Sequence, residues 1–420
     1  MTARRIARLA LQISSGIILI ILLWSCTAIP GINEEVMTPV IRVPFVRVLM
    51  VESKNEVRID ADGSMAIECI SGGQQTVYYA QTVTLTMYGV KLRAVNNHGD
   101  VIQDGSDEVN FIPRGTGSHI RFDGRRYRGM FKALPNGNNV RVVNILYMED
   151  YLRGVVPPEI GPRNDSETEA IKTQAVAART YAMGHLGQYG TEPYDMKSTV
   201  VDQIYEGMES EVDLVDRAID ATTGQVIMFQ GNYINAYYHS TCGGMTDNIE
   251  EVWEKPAAPY LKPVPDSGAC SWSKYYNWSE KFTEPQLRGR IEQYLSSDRG
   301  KEIRLSPITD IAVTERTAGG RVAKLTIRTK DDTYRFYKDR IRWVIGRASN
   351  PDLILPSDKF DVELDRSDKD KLSSITIHGG GYGHGVGLCQ CGAIGMSRKG
   401  WTFDQIIPYY YRGVEIRKLY

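Results

Sequence analysis

SETEAIKTQAVAARTYAMGHLGQYG, residues 166–190, is the most plainly patterned stretch of the chain. Ile171, Ala175, Ala178 and Ala182 recur at three- and four-residue spacing, which places them on one face of a helix. That face is mostly alanine, so a neighbouring element can approach closely. Ser166 with Glu169 fits a capping box at the helix start, and Gly187 and Gly190 mark its stop. Upstream, from Ile41 to about Phe131, the text is strand-like. VRVLMV, EVRIDA, TVYYAQTVTLTMYG and HIRFDGRRYRGMF are rich in β-branched and aromatic residues and are broken by Gly, Asn and Asp. Asp123-Gly124 has the chemistry of a tight hairpin turn.

Downstream the two characters alternate. Val140–Leu146 reads as a strand and Asp213–Thr222 as a short helix. QVIMFQ and YINAYYHST read as strands around a turn at Gly231-Asn232. Thr283–Leu295 is predicted helical with Pro285 in its first turn, and two strands turn at Gly319-Gly320. Lys338–Ile345 is a short helix, and a last helix from Phe403 precedes a terminal strand, VEIRKLY. No βαβ regularity runs through this order. The expected fold class is therefore α+β: a mixed, largely antiparallel β core with a few helices around a groove. A β-rich region over 41–135 precedes the main domain over 140–420.

The chain has 420 residues, enough for two domains, and its net charge is −1. That balance argues against nucleic acid, whose phosphates need a basic excess, and against a polybasic membrane patch. A neutral partner such as a polysaccharide fits better. Residues 1–26 read as a secretion signal: Arg4, Arg5 and Arg8 precede an apolar run from Leu9 to Trp24. Leu23-Trp24-Ser25-Cys26 is similar to a lipoprotein cleavage box with Cys26 as the lipidated residue; the alternative is an uncleaved signal anchor. Residues 27–40 read as a tether. Either way the remainder lies outside the cytoplasmic membrane, where disulfides are permitted. Cys69, Cys242, Cys270, Cys389 and Cys391 then form an odd set.

Three stretches can carry chemistry. HGGGYGHGVGLCQCGA, residues 378–393, lacks the spacing of a nucleotide-binding loop. Its glycines suit close approach of backbone to a ligand, with His384 projecting and Gln390 offering donors and acceptors to a sugar. The alternative is a structural turn around a buried histidine. Tyr238–Gly244, YHSTCGG, is a second polar cluster. Adjacent strand residues point to opposite faces, so His239 is badly placed to activate Ser240. His239, Cys242, Cys389 and Cys391 are a partial set for tetrahedral zinc, but no Cys-x-x-Cys pair occurs. A Cys242–Cys270 disulfide is the preferred reading, with no metal and no cofactor. The third stretch is Val155-Val156-Pro157-Pro158-Glu159-Ile160. Prolines fix the backbone, and apolar surroundings raise a carboxyl's pKa. A glutamate tuned upward can act as a general acid. The alternative is a surface glutamate in a loop.

Taken together, these stretches resemble the stage II sporulation protein D family, which includes the amidase-enhancer type of cell-wall proteins. The matching text, in order, begins with Val143-Asn144, the run Tyr151–Glu159 and the run Ala170–Tyr181. Gln203–Gly207, Tyr238–Gly244, Gly381–Gln390 and Tyr409-Tyr410-Tyr411 follow. The resemblance implies a lytic transglycosylase that cuts peptidoglycan between N-acetylmuramic acid and N-acetylglucosamine. Its catalytic glutamate falls on Glu159, and its characteristic substrate is glycan stripped of stem peptides. His239, Ser240, Gly243, Gly244, Tyr382, His384 and Gln390 are then the expected groove walls. Gln174, Arg179 and Tyr181 are the expected supports, with Arg179 pairing to an acid of the protein rather than steering a substrate carboxylate. Some members bind zinc in the loop before the Gln-x-Tyr element. Here that loop, Tyr194–Asp202, has neither thiol nor imidazole, so no zinc is expected there. The rival reading is a non-enzymatic wall-binding protein that recruits or stimulates an amidase.

Overall fold

A computed structural model of the protein describes residues 43–350, 352–368 and 371–420. The signal, the Cys26 lipidation box and the tether expected over 1–40 lie outside the described residues. The first ten strands are β1 (Phe45–Lys54), β2 (Glu56–Ser71), β3 (Gln74–Tyr88), β4 (Lys91–Asn96), β5 (Val101–Ser106), β6 (Glu108–Arg114), β7 (Ile120–Phe122), β8 (Arg125–Tyr127), β9 (Met130–Asn136) and β10 (Asn139–Tyr147). With β11 (Met196–Lys197) they make an eleven-stranded sheet ordered β11-β1-β10-β9-β6-β2-β3-β4-β5, with β7 and β8 branching from β2. All its ladders are antiparallel except β1 with β11. The Asp123-Gly124 hairpin joins β7 to β8, and both turn residues have positive φ, as a type I′ turn needs.

The sheet continues past the β-rich region into the main domain. β10 pairs along β1 and runs directly into the first helix, α1 (Met148–Ile160). Val46, Val48 and Ile59 of the sheet share one apolar core with Tyr151, Leu152, Val155 and Val156 of α1. The same core takes Ile171, Ala175, Ala178 and Ala182, the predicted face of α2 (Thr168–His185). The expected cap is not on α2 itself, which has no side-chain cap, but on the 3-10 turn Asp165–Glu167 that leads into it. Asn164, not Ser166, accepts from the Ser166 N–H at 3.1 Å, and Glu167, not Glu169, reaches back to the Asn164 N–H at 3.0 Å. Glu169 is diverted to Lys172 and to the Phe403 N–H.

α3 (Asp213–Ala221) leads to β12 (Gln225–Phe229), which pairs with β13 (Asn232–Tyr233) and with the last strand of the chain, Glu415–Lys418. The expected second hairpin strand stops after Tyr233. Its remainder, β14 (Tyr238–His239), pairs in parallel with Leu388–Cys389 instead. The short α4 (Ile249–Val252) follows. A second apolar core gathers β15 (Trp278–Thr283), α5 (Glu284–Arg299), β16 (Ile308–Arg316), β17 (Val322–Thr329), β18 (Thr333–Tyr337), α6 (Arg340–Ile345), β19 (Phe360–Asp368) and β20 (Lys371–Gly379). Thr283 caps α5 reciprocally with Gln286. The chain then returns to the first core through β21 (Leu388–Cys389), α7 (Gln390–Ser397), α8 (Phe403–Tyr410) and β22 (Glu415–Lys418). No helix among the described residues is long and apolar enough to cross a membrane.

Candidate active site

Glu159 sits in the last turn of α1, a helix that its own sequence argues against. Proline 158 removes the N–H that would bond the Gly154 carbonyl four residues back. That carbonyl instead accepts from the Glu206 N–H at 3.1 Å. The proline therefore docks the Gln203–Gly207 segment onto α1. Gly154 lets it come close, since a Cβ there would lie 2.5 Å from the Tyr205 ring. Docking brings the Ile204 N–H to 3.0 Å from Glu159 Oε1.

The Glu159 carboxyl is half-buried in the wall of a cleft of about 860 Å³. Burial pushes its pKa up, against the Ile204 N–H and the neighbouring Tyr238 hydroxyl, which both favour the charged form. Its place near the helix C-terminus acts in the same direction as burial, because the negative end of the helix dipole disfavours a carboxylate. The Tyr238 hydroxyl accepts from Gln203 Nε2 at 3.1 Å, which leaves its own proton for Glu159. Gln203 is held in turn by the Tyr151 hydroxyl at 3.1 Å and the Ala178 carbonyl at 3.3 Å. Burial, then the neighbouring Glu159, holds the Tyr238 phenol well above its usual value, so it remains a donor.

The opposite wall comes from residues far along the chain. Gln390 Nε2 donates to the Glu159 carbonyl at 3.0 Å and to Gln174 Oε1 at 3.3 Å. His384 lines the cleft, but both its ring nitrogens are occupied. Nδ1 accepts from the Val386 N–H at 3.1 Å, so Nε2 carries the proton and donates to the Tyr238 carbonyl at 2.9 Å. Burial lowers its pKa to about 4. The ring stacks at a tilt against Trp253, with centroids 4.7 Å apart, and Trp253 meets Tyr237 edge-on at 5.1 Å. His239 Nδ1 donates to the Val386 carbonyl at 3.2 Å. Its Nε2 is buried and without a protein partner. Ser240 bonds Thr241, not His239, so no Ser–His pair forms.

The chain is similar to known proteins over most of its described length. Residues 136–229 match the family model described as Stage II sporulation protein, and residues 269–387 match a domain of unknown function. An uncharacterized protein of Brachyspira hyodysenteriae is 32% identical over 295 residues, covering 70% of this chain and 73% of the relative. Stage II sporulation protein D of Bacillus subtilis is 29% identical over 289 residues, covering 64% of this chain and 74% of the relative. The amidase enhancer of the same species is 28% identical over 361 residues, and the match spans half of its length. The chain belongs to the stage II sporulation protein D and amidase-enhancer family.

Among the residues expected from this family, Glu159, Tyr181, His239, Ser240, Tyr382, His384 and Gln390 line the one cleft. Gly243 and Gly244 do not; Gly243 borders a separate hollow with Tyr276 and Trp278. Gln174 is fully buried beneath Gln390. Arg179 is fully buried too, with bidentate bonds to Glu149 at 2.9 and 2.6 Å and a third to the Gln225 carbonyl at 3.1 Å. The glycines of the 378–393 stretch pack closely against protein, and Gly383 among them also lines the cleft. A Cβ on Gly383 would meet the His239 Cβ at 2.8 Å, and one on Gly385 would overlap the Arg321 guanidinium. Arg321 is itself buried and ion-paired to Asp358 at 2.7 Å. Residues that sequence reasoning did not assign also line the cleft. They include Tyr237, Tyr238, Trp253, Asp202 and the exposed Val200 and Val201. Asp202 is committed: it accepts from the Tyr189 hydroxyl and Lys197 N–H, each at 2.8 Å, and from Gln188 at 3.1 Å. In the same loop Asp195 pairs with Arg47. The Cys242 and Cys270 sulfurs, expected to be bonded, face each other as free thiols at 3.6 Å.

Proposed function

We propose that this chain is a peptidoglycan lytic transglycosylase that cleaves glycan between N-acetylmuramic acid and N-acetylglucosamine, with Glu159 as its one acid and base. The observation that carries the reading is the setting of Glu159. It is half-buried in a cleft, its carboxyl is held above the usual range by burial, and the Ile204 N–H fixes its orientation. Such a carboxyl retains its proton until substrate arrives. It gives that proton to the glycosidic oxygen as the bond to the muramic C1 breaks. The carboxylate then takes the proton of the muramic C6 hydroxyl as that oxygen closes on C1. The products are a shortened strand and a 1,6-anhydro end, and no water is consumed.

An ordinary glycosidase needs a second carboxylate facing the first. The other carboxylates in the cleft wall are Asp202 and Glu254. Asp202 is saturated by three donors, and Glu254 is exposed and paired with Lys338 at 2.9 Å. Both facts favour one-carboxyl chemistry. The aromatic wall of Tyr237 and Trp253 supplies flat apolar faces for sugar rings. The site would lie outside the cytoplasmic membrane, with residues 1–26 directing export.

The test compares wild type with Glu159→Gln on glycan strands stripped of stem peptides, with products read by mass spectrometry. Wild type releases ends lighter by one water than a hydrolase would leave, and the variant releases none. Intact strands in the wild-type reaction, together with stimulation of a cell-wall amidase by either protein, would instead support the amidase-recruiting reading that the relative's name suggests.

A further inference from the structure

Three sulfurs and a carboxylate converge behind the cleft wall. Cys242 follows β14, Asp266 and Cys270 lie in the loop before β15, and Cys389 ends β21. One ligand atom from each lies within 4.8 Å of all the others, and all four residues are buried. The Cys242 and Cys270 sulfurs are 3.6 Å apart. A disulfide needs about 2.05 Å. A tetrahedral zinc with Zn–S bonds of about 2.3 Å has sulfur–sulfur edges of about 3.8 Å. The observed spacing matches the second figure. With all four ligand atoms within 4.8 Å of one another, the set is too tight for an iron–sulfur cluster, whose ligands stand apart around several metal atoms.

The surroundings prepare these atoms to be anions. The Cys242 and Gly392 N–H groups donate to Cys389 Sγ at 3.2 and 3.3 Å. The Cys270 and Gly268 N–H groups donate to the Asp266 carboxylate at 2.8 and 3.1 Å. Donors of this kind orient ligands and hold them deprotonated. The Tyr410 hydroxyl, buried near Cys389, has no protein partner. Without a cation the four acids oppose one another. A divalent cation removes the conflict.

We infer that Cys242, Cys270, Cys389 and Asp266 bind one structural zinc ion that clamps the segment after His239 to the segment before Gln390. Four protein ligands close the tetrahedron and leave no position for water, so the ion is not a hydrolytic centre. His239 is not among its ligands. The site is separate from the Tyr194–Asp202 loop.

The full-length protein, purified without chelator, should contain one zinc per chain by elemental analysis. Cys389→Ala and Cys270→Ala should lower it at least tenfold, and Cys391→Ser should leave it unchanged. Should the alanine variants fail to fold, cobalt exchanged into wild type decides: a tetrahedral thiolate site gives intense visible d–d bands and a near-ultraviolet charge-transfer band. Metal-free wild type with a Cys242–Cys270 disulfide on peptide mapping overturns the proposal. So does full zinc in a folded Cys389→Ala protein, or a cobalt spectrum without thiolate bands.

Discussion

Tyr238→Phe isolates one side-chain influence on Glu159, the carboxyl proposed to be catalytic. The phenol neighbours Glu159, its proton is left free by Gln203, and it favours the ionised form, as a donor to that carboxyl does. A hydrogen bond to a charged group contributes about 1.5–3 kcal/mol. At about 1.4 kcal/mol per factor of ten, its loss raises the proton affinity of Glu159 by roughly 10- to 150-fold. In the proposed mechanism Glu159 enters the reaction protonated, so activity falls as pH rises through its pKa. In the variant that fall moves to higher pH, because the carboxyl holds its proton longer. The plateau below it drops, because a weaker acid donates less readily. Folding should survive, since Gln203 Nε2 keeps its bond to the Ala178 carbonyl. The assay is kcat/KM against pH on peptide-stripped glycan, which reports the free enzyme. An alkaline limb that stays in place, or moves to lower pH, would refute the assignment of that limb to Glu159 or of the phenol as its donor.

Three further outcomes follow from the same structure. The folded state holds the Glu159 proton more tightly than the unfolded chain, so the stability tied to it is complete in acid and is lost as pH rises through the folded value. Glu159→Gln should therefore raise Tm relative to wild type above neutral pH, with the two proteins converging in acid; thermal unfolding across pH checks this. Burial depresses His384 to about 4, so the opposite sign holds there, and stability should fall as pH drops from about 6.5 toward 4. His384→Phe should flatten that slope in the same scans. Arg179→Met should destabilise by about 3–5 kcal/mol in denaturant unfolding, because it strands the Glu149 carboxylate in a largely buried site. A stable Arg179→Met protein with a raised KM would mean that Arg179 reaches substrate instead.

Local signals were legible in proportion to how local their causes are. The alanine face of α2, the Asp123-Gly124 turn and the start of α5 with Pro285 in its first turn each depend on residues within a few positions, and each lies where the sequence places it. α1 did not read as a helix, because its prolines are breakers taken alone. What compensates them is a Glu206 N–H from beyond α2, which no local window contains. The second core is hidden for a related reason: its strands and caps look like those of the first. In the cleft, the type of residue was readable and its partner was not. Glycines at 383 and 385 do permit close approach, but to His239 and Arg321 rather than to a ligand. Tyr238 stood in a quoted motif, yet only the position of Gln203 against its hydroxyl reveals which way its proton points.

The bond from Gln390 to the Glu159 carbonyl joins residues 231 positions apart. A ribosome finishes the acid-bearing helix long before it makes the residue that closes over it. A chain that ends before residue 390 thus carries Glu159 without the side chain that ties down its backbone carbonyl.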